Sequence, residues 1–217
     1  MDEIFMDTRL SEISAFLQQG RAAKVKDCVQ QALDAGIPPE EILEKGLMDG
    51  MNTVGQDFKQ NKVFVPEVLI AARAMTKGIE VLRPYLVAEG IEEKGTVVIG
   101  TVKGDLHDIG KNLVHMMMEG KGLRVIDLGV DVSVEQYLDA AQEYNADVIV
   151  CSALLTTTMS EMKAVMDAVK ASPLAGKVKV MIGGAPVTQA YCDIIGADCY
   201  TPDAASAADA ALAFCMQ

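Results

Sequence analysis

No tryptophan occurs in the 217 residues, and only two histidines do. The missing tryptophan excludes nothing, but the scarcity of histidine matters. A zinc centre built by the protein needs three or four ligands. His107 has no cysteine or second histidine within loop reach, and His115 falls about two helical turns further on. The five cysteines (28, 151, 192, 199 and 215) form no CxxC pair, which suggests a reducing compartment. No apolar run approaches the roughly 20 residues that span a bilayer. The start, Met-Asp-Glu-Ile-Phe, lacks the positive residues of a signal peptide, so the expected location is the cytoplasm. Basic residues are also few, 19 against 31 acidic, for a net charge of −12. Nucleic acid and membrane surfaces attract cationic patches, so neither is an expected partner. Two phosphate-binding signatures are missing too: the glycine-rich loop ending in Lys-Ser/Thr, and GxGxxG after the first strand.

What is present divides into two periods. Residues 1 to about 92 read as helices only. Leu10, Ile13, Phe16 and Leu17 fall at helical spacing, and Val25, Cys28, Val29, Ala32 and Leu33 repeat it until Gly36. Pro38-Pro39 opens a third helix carrying Ile42, Leu43, Leu47, Met51 and Val54, and Pro66 opens a fourth. Helix pairs joined by short loops predict a four-helix bundle over 1–92. Between the last two helices, Phe64 sits in a loop with Val63 and Val65. It either staples the following helix or forms an apolar lid over a ligand. Residues 88–95 are polar with two glycines and read as a linker.

From 93 to 217 the period changes. Apolar runs at 96–102, 123–127, 146–151, 178–182 and 197–200 alternate with helical stretches near 110–120, 134–144, 158–171, 186–193 and 204–215. That alternation predicts an α/β domain with a parallel five-stranded sheet covered on both faces, in the flavodoxin-like or Rossmann-like class. The strand order 2-1-3-4-5 is expected, with a crevice at the carboxyl ends of strands 1 and 3. Gly104-Asp105-Leu106-His107-Asp108-Ile109-Gly110 stands at the end of strand 1. Residues 152–158 stand at the end of strand 3 and supply hydroxyls, and Gly183-Gly184 at the end of strand 4 offer approachable backbone. A phospho-receiver domain would need an aspartate at the end of strand 3, where this chain has Cys151-Ser152. Two readings of His107 remain open. It is a loop histidine held by Asp105, or the single axial ligand of a metal that brings its other ligands along, as a tetrapyrrole does.

Three elements in register resemble a known signature. Asp105-x-His107-x-x-Gly110, Ser152-x-Leu154 and Gly183-Gly184 are similar to the DxHxxG…SxL…GG pattern of cobalamin-binding domains in the methionine synthase class. The gaps between them, 41 residues and then 28, are also those of the family. The helical half resembles the cap domain that precedes such domains. The chain's size resembles the small corrinoid proteins of methylotrophic and acetogenic methyltransferase systems.

The resemblance implies a cobalamin cofactor whose cobalt is ligated from below by His107, in a loop that includes Gly104, Leu106, Asp108 and Ile109. Asp105 would accept the other imidazole N–H, and Thr158 would continue that relay where methionine synthase has serine. Ser152, Leu154, Thr156, Gly183 and Gly184 would line a slot for the nucleotide tail, closed at its far end by Tyr200, Thr201 and Ala204. Phe64 would cover the methyl-bearing face. The implied function is a methyl carrier, not itself an enzyme, cycling between Co(I) and methyl-Co(III) as methylcobalamin. One substrate-specific methyltransferase would load it from a methylamine, betaine, methanol or methoxyaromatic. A second would unload it to tetrahydrofolate or a thiol, and a reductive activase would restore the reduced state. The alternatives are a B12-binding regulatory or light-sensing module, which would want a basic DNA-binding domain, and a mutase small subunit, which would normally lack the cap.

Overall fold

The computed structural model describes residues 3–90 and 93–217. The chain falls into two compact units, Met1–Glu92 and Glu93–Gln217.

The first unit is helical. It runs through α1 (Glu3–Gln18), α2 (Ala22–Asp34), α3 (Pro39–Glu41), a π-helical stretch Ile42–Met48, α4 (Asp49–Lys59) and α5 (Val65–Glu89). Since α3, the π stretch and α4 follow without a break, the chain makes four rods. Pro39 opens the third, where its missing N–H would have had no helical partner. Leu10, Ile13, Leu17, Val25, Val29 and Leu47 are all buried, as their spacing predicts. On α5 Ala74 and Leu82 are buried, but Leu69 and Ile70, at the same helical spacing, are exposed. The π stretch is the unannounced feature. Gly46 lies within it and Gly50 just beyond, and both meet α1. A Cβ on Gly46 would come 3.2 Å from Ile13, and one on Gly50 would come 3.1 Å from the Ser14 Cα. Small residues on one face let two helix backbones approach closely.

The expected linker at 88–95 is shorter than its composition suggests. Helix α5 continues through Glu89, carrying Pro84 within it, and ends at Gly90 with φ of +69°. Ala88 and Glu89 are good helix formers that extend an existing helix at little cost. Residues 91 and 92 lie outside the described residues.

The second unit alternates strand and helix: β1 (Thr96–Thr101), α6 (Ile109–Glu119), β2 (Arg124–Asp127), α7 (Val134–Glu143), β3 (Val148–Ser152), α8 (Met159–Lys170), β4 (Lys179–Gly183), α9 (Gln189–Ile195), β5 (Cys199–Tyr200) and α10 (Ala204–Cys215). All neighbouring strands pair parallel in the order β2-β1-β3-β4-β5, as the alternation predicts. Side chains alternate across the sheet. Val98, Ile149, Cys151, Val180 and Ile182 pack with Tyr137 of α7, Met162 and Val165 of α8 and Cys192 of α9. Helices α6 and α10 pack together on the opposite face. Among the described residues no helix is long and apolar enough to cross a membrane.

The register brings the three loops to one edge. Thr101 lies beside Ser152, and Ser152 beside Gly183. Past the ends of the strands the backbones close up further. Gly184 has φ of +129°, and a Cβ there would fall 1.9 Å from the Ala153 carbonyl oxygen. No side chain fits, and the backbone angle itself disfavours one. Gly184→Ala is expected to destabilise the protein by about 3 kcal/mol or more. Urea denaturation measures this, and an unchanged midpoint would show that the two strand ends do not approach in this way.

Candidate functional site

The site begins with one buried carboxylate. Asp105 has no exposed surface. Its Oδ1 accepts the His107 backbone N–H at 3.1 Å and faces the His107 Nδ1 at 2.7 Å. Its Oδ2 accepts the N–H of Leu154 at 2.8 Å and of Leu155 at 3.2 Å, and lies 2.9 Å from the Thr158 hydroxyl. Burial alone would push this carboxyl up. The hydrogen bonds from His107, Leu154 and Thr158 outweigh it and hold the group well below the usual carboxylate range. Asp105 is therefore ionised and can only accept. No lysine or arginine pairs with it among the described residues.

That fixes the imidazole. In the neutral ring, an ionised acceptor at Nδ1 places the proton on Nδ1 and leaves the lone pair on Nε2. The His107 side chain is 51 % exposed, and Nε2 has no partner among the described residues. In that tautomer an oriented, exposed nitrogen is able to ligate a metal. Among the described residues no three His, Cys, Asp or Glu side chains converge on a point where they could hold a metal. A metal held through His107 would therefore have to bring the rest of its coordination sphere with it.

The surroundings suit a large, flat apolar guest. Leu106 and Ile109 flank the imidazole in sequence and are 72 % and 73 % exposed. Leu154 and Leu155, tied to Asp105 through their N–H groups, are also exposed. An exposed apolar patch around a polar centre marks a binding surface. Further along the edge, a Cβ on Gly183 would stand 3.8 Å from the Thr201 carbonyl oxygen, with no closer neighbour. The missing side chain leaves space there, unlike at Gly184. Beside Gly183 lies Ser152, and Tyr200 pairs with Ile182 one residue back. Thr156 is exposed on the rim, and Ala204 is buried in the first turn of α10 behind its Asp203 cap.

Thr158 meets Asp105 as the relay requires, with a complication. Its hydroxyl lies 2.9 Å from Asp105 Oδ2 and also 2.9 Å from the Leu155 carbonyl oxygen. One proton serves two acceptors. Asp108 takes part through its carbonyl and its Oδ2, which accept from Asn112, and Gly104 through its backbone. Gly104 takes φ of +80° at the turn into the loop and donates its N–H to Asp131 Oδ1. Phe64 belongs to the helical unit. Its ring is 63 % exposed, so it does not staple α5 by burial, and its N–H donates to Glu67 Oε2 at 3.0 Å.

Three contributors went unread in the sequence. The buried Thr101 hydroxyl donates to the His107 carbonyl at 2.8 Å. Asp131, at φ of +56°, donates its N–H to the Asp105 carbonyl. Leu155 adds a second backbone N–H to Asp105. For Thr101 the only available signal is its place at the end of β1.

With this geometry established, likeness to known proteins is informative. Residues 95–213 match a B12 binding domain, and residues 10–83 match a second family of the same description. The chain belongs to the B12-binding domain family. It is a corrinoid protein, and its cofactor is a cobalamin. It is similar to dimethylamine corrinoid protein 3 of Methanosarcina acetivorans, at 45% identity over 198 residues, covering 91% of this chain and 92% of that one. The dimethylamine corrinoid protein of Methanosarcina barkeri is 49% identical over 173 residues, covering 79% of this chain and 81% of that one. Among solved structures, the methanol:cobalamin methyltransferase complex MtaBC of Methanosarcina barkeri aligns with a TM-score of 0.84 and 33% identity. The alignment covers 95% of this chain and 80% of that chain.

The Asp105 network sets a stability that depends on pH. Asp105→Asn keeps the shape, but places an NH2 against either the imidazole N–H or the Leu154 and Leu155 N–H groups. It is expected to cost about 2–4 kcal/mol at neutral pH. The carboxyl is depressed in the folded state, so its stabilisation is present above the ordinary value of 3.8 and fades as pH falls below it. Unfolding followed from neutral pH down to about pH 3 should show the gap between the two proteins narrowing. A gap that stayed constant would contradict the assignment of an ionised Asp105.

Proposed function

We propose that this protein carries a methyl group between two partner methyltransferases, held on the cobalt of its corrinoid above His107. The bound corrinoid supplies a metal centre that can take a methyl group and give it up. Everything else is the work of the chain's own residues. His107 Nε2 would ligate the metal, with Asp105 holding the ring and its tautomer and Thr158 buttressing the far carboxylate oxygen. Ser152, Leu154, Thr156, Gly183, Gly184, Tyr200, Thr201 and Ala204 are proposed to take the nucleotide tail. Phe64 is proposed to shield the methyl-bearing face, on the strength of its exposed ring.

The observation that carries this reading is the exposed Nε2 of His107, on a ring whose Nδ1 is held by a buried carboxylate, in a loop with exposed leucine and isoleucine. A histidine kept only for stability would have both nitrogens engaged or in water, with no apolar collar. For the donor we propose a methylated amine, supported by relatives whose names include dimethylamine and trimethylamine. A methylamine-specific methyltransferase would load the carrier, and a second enzyme would pass the methyl group to a thiol or tetrahydrofolate. A reductive activase would rescue protein that had become oxidised. A cytoplasmic location is part of the same proposal.

The test is reconstitution with hydroxocobalamin. Wild-type protein should retain colour after desalting and, once reduced by one electron, show imidazole nitrogen coupling in its EPR spectrum. His107→Ala should bind roughly tenfold or more weakly and lose that coupling. A colourless wild-type protein, or coupling that survives in His107→Ala, would refute the assignment. Methyl transfer from di- or trimethylamine with the matching methyltransferase, and none from methanol with its own, tests the donor.

A further inference from the structure

A second polar cluster lies outside the metal-facing residues. Lys111, in the first turn of α6, is 2 % exposed. Its Nζ donates to Asp127 Oδ2 at 2.5 Å and to Asn112 Oδ1 at 2.7 Å. A lysine this deep needs a partner, and Asp127 at the end of β2 supplies it. On the surface side His115 lies 3.3 Å from the same Oδ2 and 3.5 Å from Glu119.

From this pair two chains of hydrogen bonds run to the carbonyl of His107 and to the residue that follows it. On one side, Asp127 Oδ1 accepts the N–H of Gly129 at 2.8 Å, and the Gly129 carbonyl accepts the N–H of Thr101 at 3.0 Å. The Thr101 hydroxyl then holds the His107 carbonyl. On the other side, Asn112 donates its N–H to the Asp108 carbonyl at 2.7 Å and its amide to Asp108 Oδ2 at 3.3 Å. Asp108 is the residue after His107. The ligand loop is thus anchored at its carbonyl and at its following residue, and both anchors lead to one buried ammonium group.

We propose that Lys111, through Asp127 and Thr101, is a positioning residue for the axial imidazole. It sets how firmly His107 is presented to the corrinoid without touching it. This rests on the corrinoid reading above. The rival account is that Lys111–Asp127 only stabilises the fold. The two accounts separate because a buried ion pair can often be exchanged for apolar side chains with little loss of stability. Lys111→Met/Asp127→Leu should restore packing while cutting both chains at their source. Thr101→Val cuts one chain at its last link and leaves the ion pair intact.

Each protein is loaded with hydroxocobalamin and reduced by one electron. The ratio of imidazole-ligated to unligated cobalt is then read from EPR, and thermal unfolding is measured on the unloaded protein. The ratio is expected to fall about tenfold in the double variant, with an unfolding midpoint near that of wild type. It should fall in the same direction, by less, in Thr101→Val. A wild-type ratio in both variants would overturn the inference while leaving the corrinoid reading intact. A wild-type protein without any imidazole coupling would sink both.

Discussion

A carboxylate with no exposed surface and, among the described residues, no lysine or arginine partner is an expensive thing to keep inside a protein. Here Asp105 is kept there by donors alone: two backbone N–H groups from the β3–α8 loop, one from its own loop, a hydroxyl and an imidazole. Five donors approach a group with about four lone-pair directions. The arrangement is saturated, and it determines the rest of the site. It forces the Nδ1–H tautomer on His107 and turns Nε2 outward. It also leaves one negative charge whose natural complement is a cation beyond the imidazole.

Only the sheet order makes this possible. Asp105 and Leu154 are 49 residues apart in the chain. Because β1 lies between β2 and β3, the loop after β1 meets the loop after β3 on one side and the turn after β2 on the other. Asp105 is satisfied from the first neighbour, and Thr101 and Asp131 tie the same loop to the second. The cleft where strand order reverses is where open α/β sheets take their ligands. In this protein the reversal ties one loop from both flanks: donors after β3 satisfy the Asp105 carboxylate, and the turn after β2 holds the loop's backbone.

Much of this was readable from residues alone. The shift from helical period to strand–helix alternation near residue 93, and the five strands in their order, follow from hydrophobic pattern. That signal is dense, because buried parallel strands are apolar throughout. Asp105 and His107 stood out as a pair with coordination spacing. What stayed hidden depended on three-dimensional coincidence. The π-helical stretch Ile42–Met48 has the composition of an ordinary helix. Thr101 resembles any strand residue until its hydroxyl is seen on the His107 carbonyl. Lys111 looks like a surface lysine early in a helix, and only the position of Asp127 shows why it is buried. The paired glycines 183 and 184 read as one feature, yet the first leaves space and the second is imposed by the Ala153 carbonyl.

The two oxygens of Asp105 are not equivalent, and this decides where a proton would go. Oδ2 faces three donors, two of them backbone amides that cannot withdraw while β3 and α8 stay in place. Oδ1 faces only His107, through its ring and its own N–H. If the imidazole turned away, Oδ2 would keep its full set and Oδ1 would lose its short contact. The exposed lone pair is then the most basic point of the carboxylate, so losing the imidazole contact raises the affinity of Oδ1 for a proton. Thr158 smooths the change. Its hydroxyl proton lies between Oδ2 and the Leu155 carbonyl, and it can lean towards whichever oxygen holds more charge. The position of the imidazole and the proton affinity of this one carboxylate are therefore linked.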